Sequence, residues 1–238
     1  EIKDKGKLVM GTSADYPPYE WHLIKDGKDE IIGFDIDIAQ AIADELGVEL
    51  EVKDMAFDGL IPALSTGKID MIIAGMNATE ERKQSVDFTD VYYTQTDIVV
   101  IRKEDADKFT SEDSLKTAAL ATQKATVQET YLLETFPDAE IQSVPKWNTA
   151  IMSLTTGKVD AVMMVDTVAK QFIAQNDDLM VANFDINSTP NAAAIAVAKN
   201  GGDFLETVNN IVNEMKESGK IEELYQLNDQ IVTDNTAE

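Results

Sequence analysis

Cysteine is absent from this chain, and histidine occurs once, as His22. The first absence excludes disulfide frameworks, cysteine nucleophiles and thiolate metal sites. The second excludes a multi-histidine metal centre. It leaves any serine–histidine chemistry to one residue beside Trp21, where an incidental surface histidine is the simpler account. No metal site and no cofactor are expected. No apolar run approaches the roughly 18 residues that a membrane-spanning helix needs. Basic residues are scarce: 20 Lys and Arg against 44 Asp and Glu give a formal charge of −24. A polyanion gains nothing from such a surface, so nucleic acid is excluded as a partner. The charge itself serves solubility and does not fix the sign of a ligand. The opening Glu-Ile-Lys-Asp-Lys-Gly is polar and carries no signal-peptide pattern, which suits a cytoplasmic chain or a mature exported one equally.

What the chain does have is a repeat. Phe57-Asp-Gly-Leu-Ile-Pro-Ala-Leu-Ser-Thr-Gly-Lys-Ile-Asp70 recurs about ninety residues later as Trp147-Asn-Thr-Ala-Ile-Met-Ser-Leu-Thr-Thr-Gly-Lys-Val-Asp160. Each copy joins an aromatic to a short amphipathic helix, a Thr-Gly-Lys stop and a hydrophobic strand, expected over 69–74 and 159–165. A helix that ends at glycine and feeds a buried strand is half of a parallel α/β unit. Two such halves predict two similar lobes, and the 238 residues suffice for lobes of about 100–120 each. Two lobes have a cleft, and clefts bind small molecules.

Along the first half, 8–12 reads as a buried strand. It leads into Ser13-Ala-Asp-Tyr-Pro-Pro-Tyr-Glu-Trp21, where two prolines leave a rigid loop of aromatics and acids. Asp26-Gly27 is a turn signal. After Gly33, the spacing of Ile38, Ala41, Ile42 and Leu46 predicts a helix stopped by Gly47. A strand is expected over 48–52. Thr79 is placed to cap a helix with Glu80 and Glu81 in its first turn. Residues 86–93 read as an aromatic loop, and the β-branched run 96–102 as a strand crossing between lobes. In the second half a strand over 117–121 precedes a helix capped by Thr126 and running to about Phe136. A strand follows over 140–144, and another helix opens at Asp166. Residues 193–198 form an apolar return strand. A helix spans Phe204 to Met215 with Gly219 as its stop, and a short last helix covers 221–227.

Ligands of open parallel sheets sit beyond the carboxyl ends of the strands. The residues there are Ser13 to Tyr16, Phe57, Gly75, Met76, Asn77, Thr126 and Asp166, with Arg82 one turn into the helix after Asn77. One cation, one anion, hydroxyl and amide donors and aromatics suit a zwitterion. Arg82 can grip a carboxylate with two parallel bonds, and Asp166 can hold an ammonium. The helix starts at Thr79 and Thr126 add backbone donors for the same carboxylate. Each residue also has an ordinary explanation. Arg82 would serve on a helix surface, Asp166 as an N-cap, and Tyr16 and Phe57 as core aromatics.

The segment Gly11-Thr-Ser-Ala-Asp-Tyr-Pro-Pro-Tyr-Glu-Trp21, followed by Gly33-Phe-Asp-Ile-Asp-Ile-Ala39, resembles the opening of the polar amino-acid-binding proteins of ABC importers. Phe57 to Asp70, Gly75-Met-Asn-Ala-Thr-Glu-Glu-Arg82, Val86-Asp-Phe88, Ala125-Thr-Val-Gln-Glu129, Gly157-Lys-Val-Asp160 and the Asp166 segment continue the likeness in order over essentially the whole chain. The resemblance implies an α/β fold of two Rossmann-like lobes joined by two crossover strands, the type II periplasmic-binding-protein architecture, closing on one ligand. Lobe 1 would take 1–94 and 192–238 and lobe 2 would take 95–191, with hinges near 92–96 and 189–193. It implies that Arg82 binds the ligand carboxylate with Asn77 and Thr126. Asp166 and the Gly75 carbonyl would bind the ammonium, and Tyr16 and Phe57 would sandwich the side chain. The implied partners are an L-amino acid and a membrane permease of the ABC type. The implied state is a monomer outside the cytoplasm, periplasmic or held at the cell surface as a lipoprotein.

Three positions depart from the family pattern. Ala125 replaces a usual glycine, Val127 a usual hydroxyl residue, and Ser13 a residue that is often aspartate in binders of cationic side chains. A cationic ligand would then look to Asp15 or Glu20. The Ser-Ala-Asp-Tyr-Pro-Pro-Tyr-Glu string is similar to arginine-type members, so arginine is the first expectation, with lysine, histidine and glutamine open. The rival is an enzyme, since fold does not fix function. Relatives of this architecture dehydrate prephenate- or arogenate-like acids through a carboxyl general acid, a role open to Glu20 or Glu129. A ligand-sensing receptor domain is a third reading.

Overall fold

Residues 2–236 are described by the computed structural model, and they fall into two units. One takes the chain up to Thr94 and again Ala192–Asp234; the other takes Gln95–Asn191. In the first unit α1 (Ile2–Lys5) and β1 (Lys7–Thr12) precede a small antiparallel sheet of β2 (Asp15–Tyr16), β3 (Glu20–Lys25) and β4 (Lys28–Ile32). Asp26 and Gly27, at φ 53° and 75°, make the two-residue turn between β3 and β4, a backbone that matches strand twist. Then come α2 (Phe34–Leu46), β5 (Glu49–Asp54), α3 (Leu60–Ser65), β6 (Met71–Ile72) and β7 (Val86–Gln95).

The second unit contains β8 (Asp97–Arg102), β9 (Ala119–Gln123), α4 (Val127–Thr135), β10 (Glu140–Val144), α5 (Trp147–Thr155), β11 (Ala161–Val165), α6 (Asp166–Ala174) and β12 (Leu179–Val181). The chain returns to the first unit for β13 (Asn191–Ala198), α7 (Gly202–Glu217) and α8 (Lys220–Thr236).

The two main sheets share a plan. Their orders are β5-β1-β6-β13-β7 and β10-β9-β11-β8-β12. In each, a central strand lies parallel to both neighbours from its own half of the repeat: β1 to β5 and β6, β9 to β10 and β11. The repeated Thr-Gly-Lys explains why. Thr66 Oγ1 donates to Pro62 O at 2.9 Å and Thr156 Oγ1 to Met152 O at 2.7 Å. Gly67 and Gly157 take φ 70° and 72°, the left-handed stop that frees the chain to reverse. The Lys68 and Lys158 N–H groups bond back to Ala63 and Ser153. Asp70 then accepts from the Val9 N–H at 2.8 Å, and Asp160 from the Ala119 N–H at 3.0 Å. Each aspartate thus pins its incoming strand to the start of the central strand.

Apolar burial holds each sheet to its helices. Leu60, Leu64, Ile69, Ile72 and Val86 form a core in the first unit. Leu115, Leu120, Leu132, Phe136 and Met163 form one in the second. A fully buried side chain of this size contributes about 1.5–3 kcal/mol.

Five expectations need correction. The segment 13–21 is not all loop, because Asp15–Tyr16 pairs antiparallel with Glu20–Trp21 on either side of the two prolines. Residues 86–93 are strand, not loop, because β7 pairs with β13, which arrives about a hundred residues later. No α-helix follows Thr79; a single 3₁₀ turn covers Arg82–Gln84. The strand after the first repeat is shorter than 69–74, spanning only Met71–Ile72. The last helix runs well past 227, to Thr236.

Candidate functional site

In the first unit the expected binding residues gather at the carboxyl ends of β1 and β6. Ser13 and Asp15 follow β1 and are buried, and the Ser13 Oγ makes no hydrogen bond among the described residues. The ring of Tyr16 lies over Gly75: a Cβ at Gly75, which has φ +56°, would sit 2.9 Å from Tyr16 Cε1. That contact gives the glycine a steric reason. Asp35, in the first turn of α2, accepts from the Gly75 N–H at 3.0 Å and from the Tyr92 hydroxyl at 2.9 Å. The bend after β6 is therefore tied to α2 and to β7.

Arg82 is brought to Asn77 and Phe57. Its Nη1 donates to Asn77 O at 2.7 Å, its Cζ stands 5.4 Å from the Phe57 ring centroid, and its N–H donates to Thr79 Oγ1 at 3.2 Å. Burial pushes its pKa down to about 10 against a small rise from Glu81, so it stays charged at neutral pH. Met76 places its side chain in the apolar core, and its carbonyl accepts from the Ala194 N–H at 2.9 Å. Phe57 borders the same core. Glu20 is buried beside Asp35, and desolvation drives both carboxyls up, Glu20 further raised by the neighbouring Asp35 charge.

The second unit holds Thr126 and Asp166 at the heads of two helices. Thr126 caps α4, its Oγ1 accepting from the Glu129 N–H at 3.2 Å and donating to Gln123 O at 2.6 Å. Ala125 sits in the left-handed region at φ 64°, the conformation glycine takes without cost. Its N–H donates to Glu129 Oε2 at 2.6 Å, which gives Glu129 a capping role rather than that of a free acid. Asp166 is the first residue of α6, not its cap: Val165 is the N-cap, and the Asp166 N–H donates to Thr96 O at 2.9 Å. Its carboxylate faces Lys170 at 3.6 Å.

Sequence reasoning did not single out Asp35, which ties down the Gly75 bend, or Asp97, whose carboxylate accepts from the buried Gln128 and Asn191 amides at 2.8 and 2.6 Å. The signal for Asp97 was present, since it is an acid opening the apolar run Ile98-Val-Val-Ile101. Among the described residues there is no grouping of His, Cys, Asp and Glu able to hold a metal, and no helix is long and apolar enough to cross a membrane.

Residues 8–227 match the model for bacterial extracellular solute-binding proteins, family 3. The arginine-binding extracellular protein ArtP of Bacillus subtilis (strain 168) is 35% identical over 223 residues, with 92% of this chain and 85% of that protein covered. A probable histidine-binding protein of Campylobacter jejuni is 35% identical over 213 residues, covering 89% and 80%. The crystal structure of an amino acid ABC transporter substrate-binding protein from Streptococcus pneumoniae Canada MDR_19A, bound to L-arginine, matches with a TM-score of 0.92 at 40% identity over 96% of each chain. These relatives are binding proteins and not enzymes.

Proposed function

The chain belongs to the bacterial extracellular solute-binding proteins of family 3, and on that premise we propose that it captures L-arginine for an ABC importer. The observation that carries the reading is Arg82. Asn77 O and the Phe57 ring hold its guanidinium in one place and leave it charged, the arrangement required for a two-bond grip on a carboxylate. Thr126 opens α4, whose first-turn backbone N–H groups are donors for the same carboxylate, while its hydroxyl, bonded to Gln123 O and the Glu129 N–H, fixes that helix head. Asp166 and the Gly75 carbonyl take the ammonium. Tyr16 and Phe57 offer aromatic faces to the distal guanidinium, a contact contributing about 0.5–2 kcal/mol. Asp15, Glu20 and the Ser13 hydroxyl line the end of β1 for its polar edge.

In this reading each end of the zwitterion has a partner from each unit: Arg82 and Thr126 for the carboxylate, the Gly75 carbonyl and Asp166 for the ammonium. Closure about hinges at 92–96 and 189–193 is then a population shift, driven only by contacts that exist when closed. The permease recognises the closed form. The protein works as a monomer outside the cytoplasm, periplasmic or lipid-anchored.

Calorimetric titration of refolded, ligand-stripped protein with arginine, lysine, histidine and glutamine tests this. Tight one-to-one binding of arginine, with none of its decarboxylated analogue, is expected. Silence across the panel overturns the reading.

A further inference from the structure

Three consecutive residues, Gln95, Thr96 and Asp97, open the second unit, and each holds a helix head that bears a proposed ligand group. Gln95 Nε2 donates to Thr167 Oγ1 at 2.6 Å, and Thr96 O accepts from the Asp166 N–H at 2.9 Å. Both bonds fix the first turn of α6, where Asp166 sits. Asp97 Oδ1 accepts from Gln128 Nε2 at 2.8 Å, in the first turn of α4 beside Thr126. The same Oδ1 accepts from Asn191 Nδ2 at 2.6 Å, and Oδ2 accepts from Ser188 Oγ at 3.0 Å. Asn191 is the last residue before the chain leaves this unit.

Asp97, Gln128 and Asn191 are all buried. Burial raises the Asp97 pKa; the bonds from Gln128, Ser188 and Asn191 oppose that rise, and Asp166 adds to it. Two amides that donate to one carboxylate oxygen, with a hydroxyl on the other, describe an ionised acceptor whose lone pairs are spoken for. Gln128 Nε2 also donates to Asn191 Oδ1 at the longer distance of 3.3 Å, so removing the Asp97 acceptor strips the buried Asn191 amide of this bond and leaves Gln128 only its weaker one. An isolated buried carboxylate would be costly, and here the cost is met by three donors from two segments, Gln128 on α4 and Ser188 and Asn191 on the return passage.

We propose that Asp97 is a positioning residue for ligand binding, tying the head of α4 to both segments by which the chain enters and leaves the second unit. Thr126 is thereby held at a fixed offset from Asp166, because consecutive residues at the passage from β7 to β8 anchor the two helix heads. The inference rests on the reading that Thr126 and Asp166 meet the ligand. It adds that ligand contacts at α4 and the backbone at the two chain passages move together.

The test is arginine titration of the full chain as wild type, Asp97→Ala, Asp97→Asn, Gln128→Ala and Ser188→Ala, with thermal unfolding of each. Asp97→Ala and Gln128→Ala are expected to weaken binding at least about tenfold at full stoichiometry. Asp97→Asn restores affinity to within about threefold, because its Oδ1 still accepts from both amides while its Nδ2 donates to Ser188 Oγ. Ser188→Ala binds as wild type, since Ser188 does not touch α4. Wild-type affinity in both Asp97→Ala and Gln128→Ala, with only the unfolding temperature lowered, overturns the inference and leaves the arginine reading standing. If Asp97→Ala does not fold, Gln128→Ala decides by the same criterion. A wild type that binds no amino acid overturns the arginine reading, and this inference with it.

Discussion

Gly33→Ala is the most severe single-atom change that the structure allows near the proposed site. Gly33 precedes α2 at φ 140° and ψ 172°, a region essentially reserved for glycine and costing any other residue about 1–3 kcal/mol. An added Cβ would stand 2.1 Å from Tyr19 O, 2.5 Å from Tyr19 C and 2.9 Å from Glu20 N. All three are backbone atoms, so no side chain can swing aside, and the segment must open by about 1 Å or more to reach ordinary contact. That opening breaks the Phe34 N–H bond to Pro18 O and the Asp35 N–H bond to Tyr19 O, both 2.9 Å long, at about 0.5–1.5 kcal/mol each. It also shifts Tyr19, whose ring packs against Phe34, Tyr93 and Tyr225. The total is about 4 kcal/mol, or about 10 °C in unfolding temperature for a chain of this length. Urea unfolding followed by circular dichroism measures the loss. Arginine titration should show weakened binding too, because the displaced segment carries Asp15 and Tyr16. A loss below about 1 kcal/mol with unchanged affinity would refute the reasoning.

Arg82→Ala and Asp166→Ala should each weaken arginine binding at least about tenfold, or about 1.4 kcal/mol; wild-type affinity in both would sink their assignment. Ala125→Gly should stabilise the second unit by up to about 1 kcal/mol, because relief of the left-handed strain at φ 64° exceeds the entropy that glycine adds to the unfolded chain. An unfolding midpoint that falls on substitution contradicts this. The Glu20–Asp35 pair has folded pKa values raised by burial. Its stabilising contribution is therefore complete below the ordinary carboxylate pKa of about 4 and is lost as pH rises through the raised folded values. Between about pH 5 and pH 8, wild type should lose stability relative to Glu20→Gln. Parallel pH profiles of the two proteins would exclude a raised Glu20 carboxyl.

The lobe plan was legible because the repeat encodes its own geometry. Thr66, Gly67 and Asp70 do what Thr156, Gly157 and Asp160 do, and each acts within a few residues or on a strand of its own unit. Thr126 was legible as a cap, since a cap is a local event. Strand β7 was not, because its polar residues are answered from afar. Asp87 meets Lys199 and the Asn200 N–H, and Asp90 meets Asn209 and Asn213. Read locally, those aspartates signal a loop. Arg82 was expected a turn into a helix and stands instead at the start of a 3₁₀ turn, yet its approach to Asn77 survives, because Thr79 still accepts from its N–H. The roles of Asp35 and Asp97 depended on partners that no spacing rule connects to them.

The strand order of the first sheet also fixes when each unit can be finished as the chain emerges, amino terminus first. The second unit has its last strand by Val181, whereas β13 begins only at Asn191 and belongs between β6 and β7. Until it arrives, β6 shows an open edge and β7 has no neighbour in its sheet, the exposed state in which strands stick to other chains. The inserted unit therefore completes first, and the unit that starts the chain completes last. A fragment that ends just before β13 carries every strand of the second sheet, short only of the Asn191 amide, on a broken first unit.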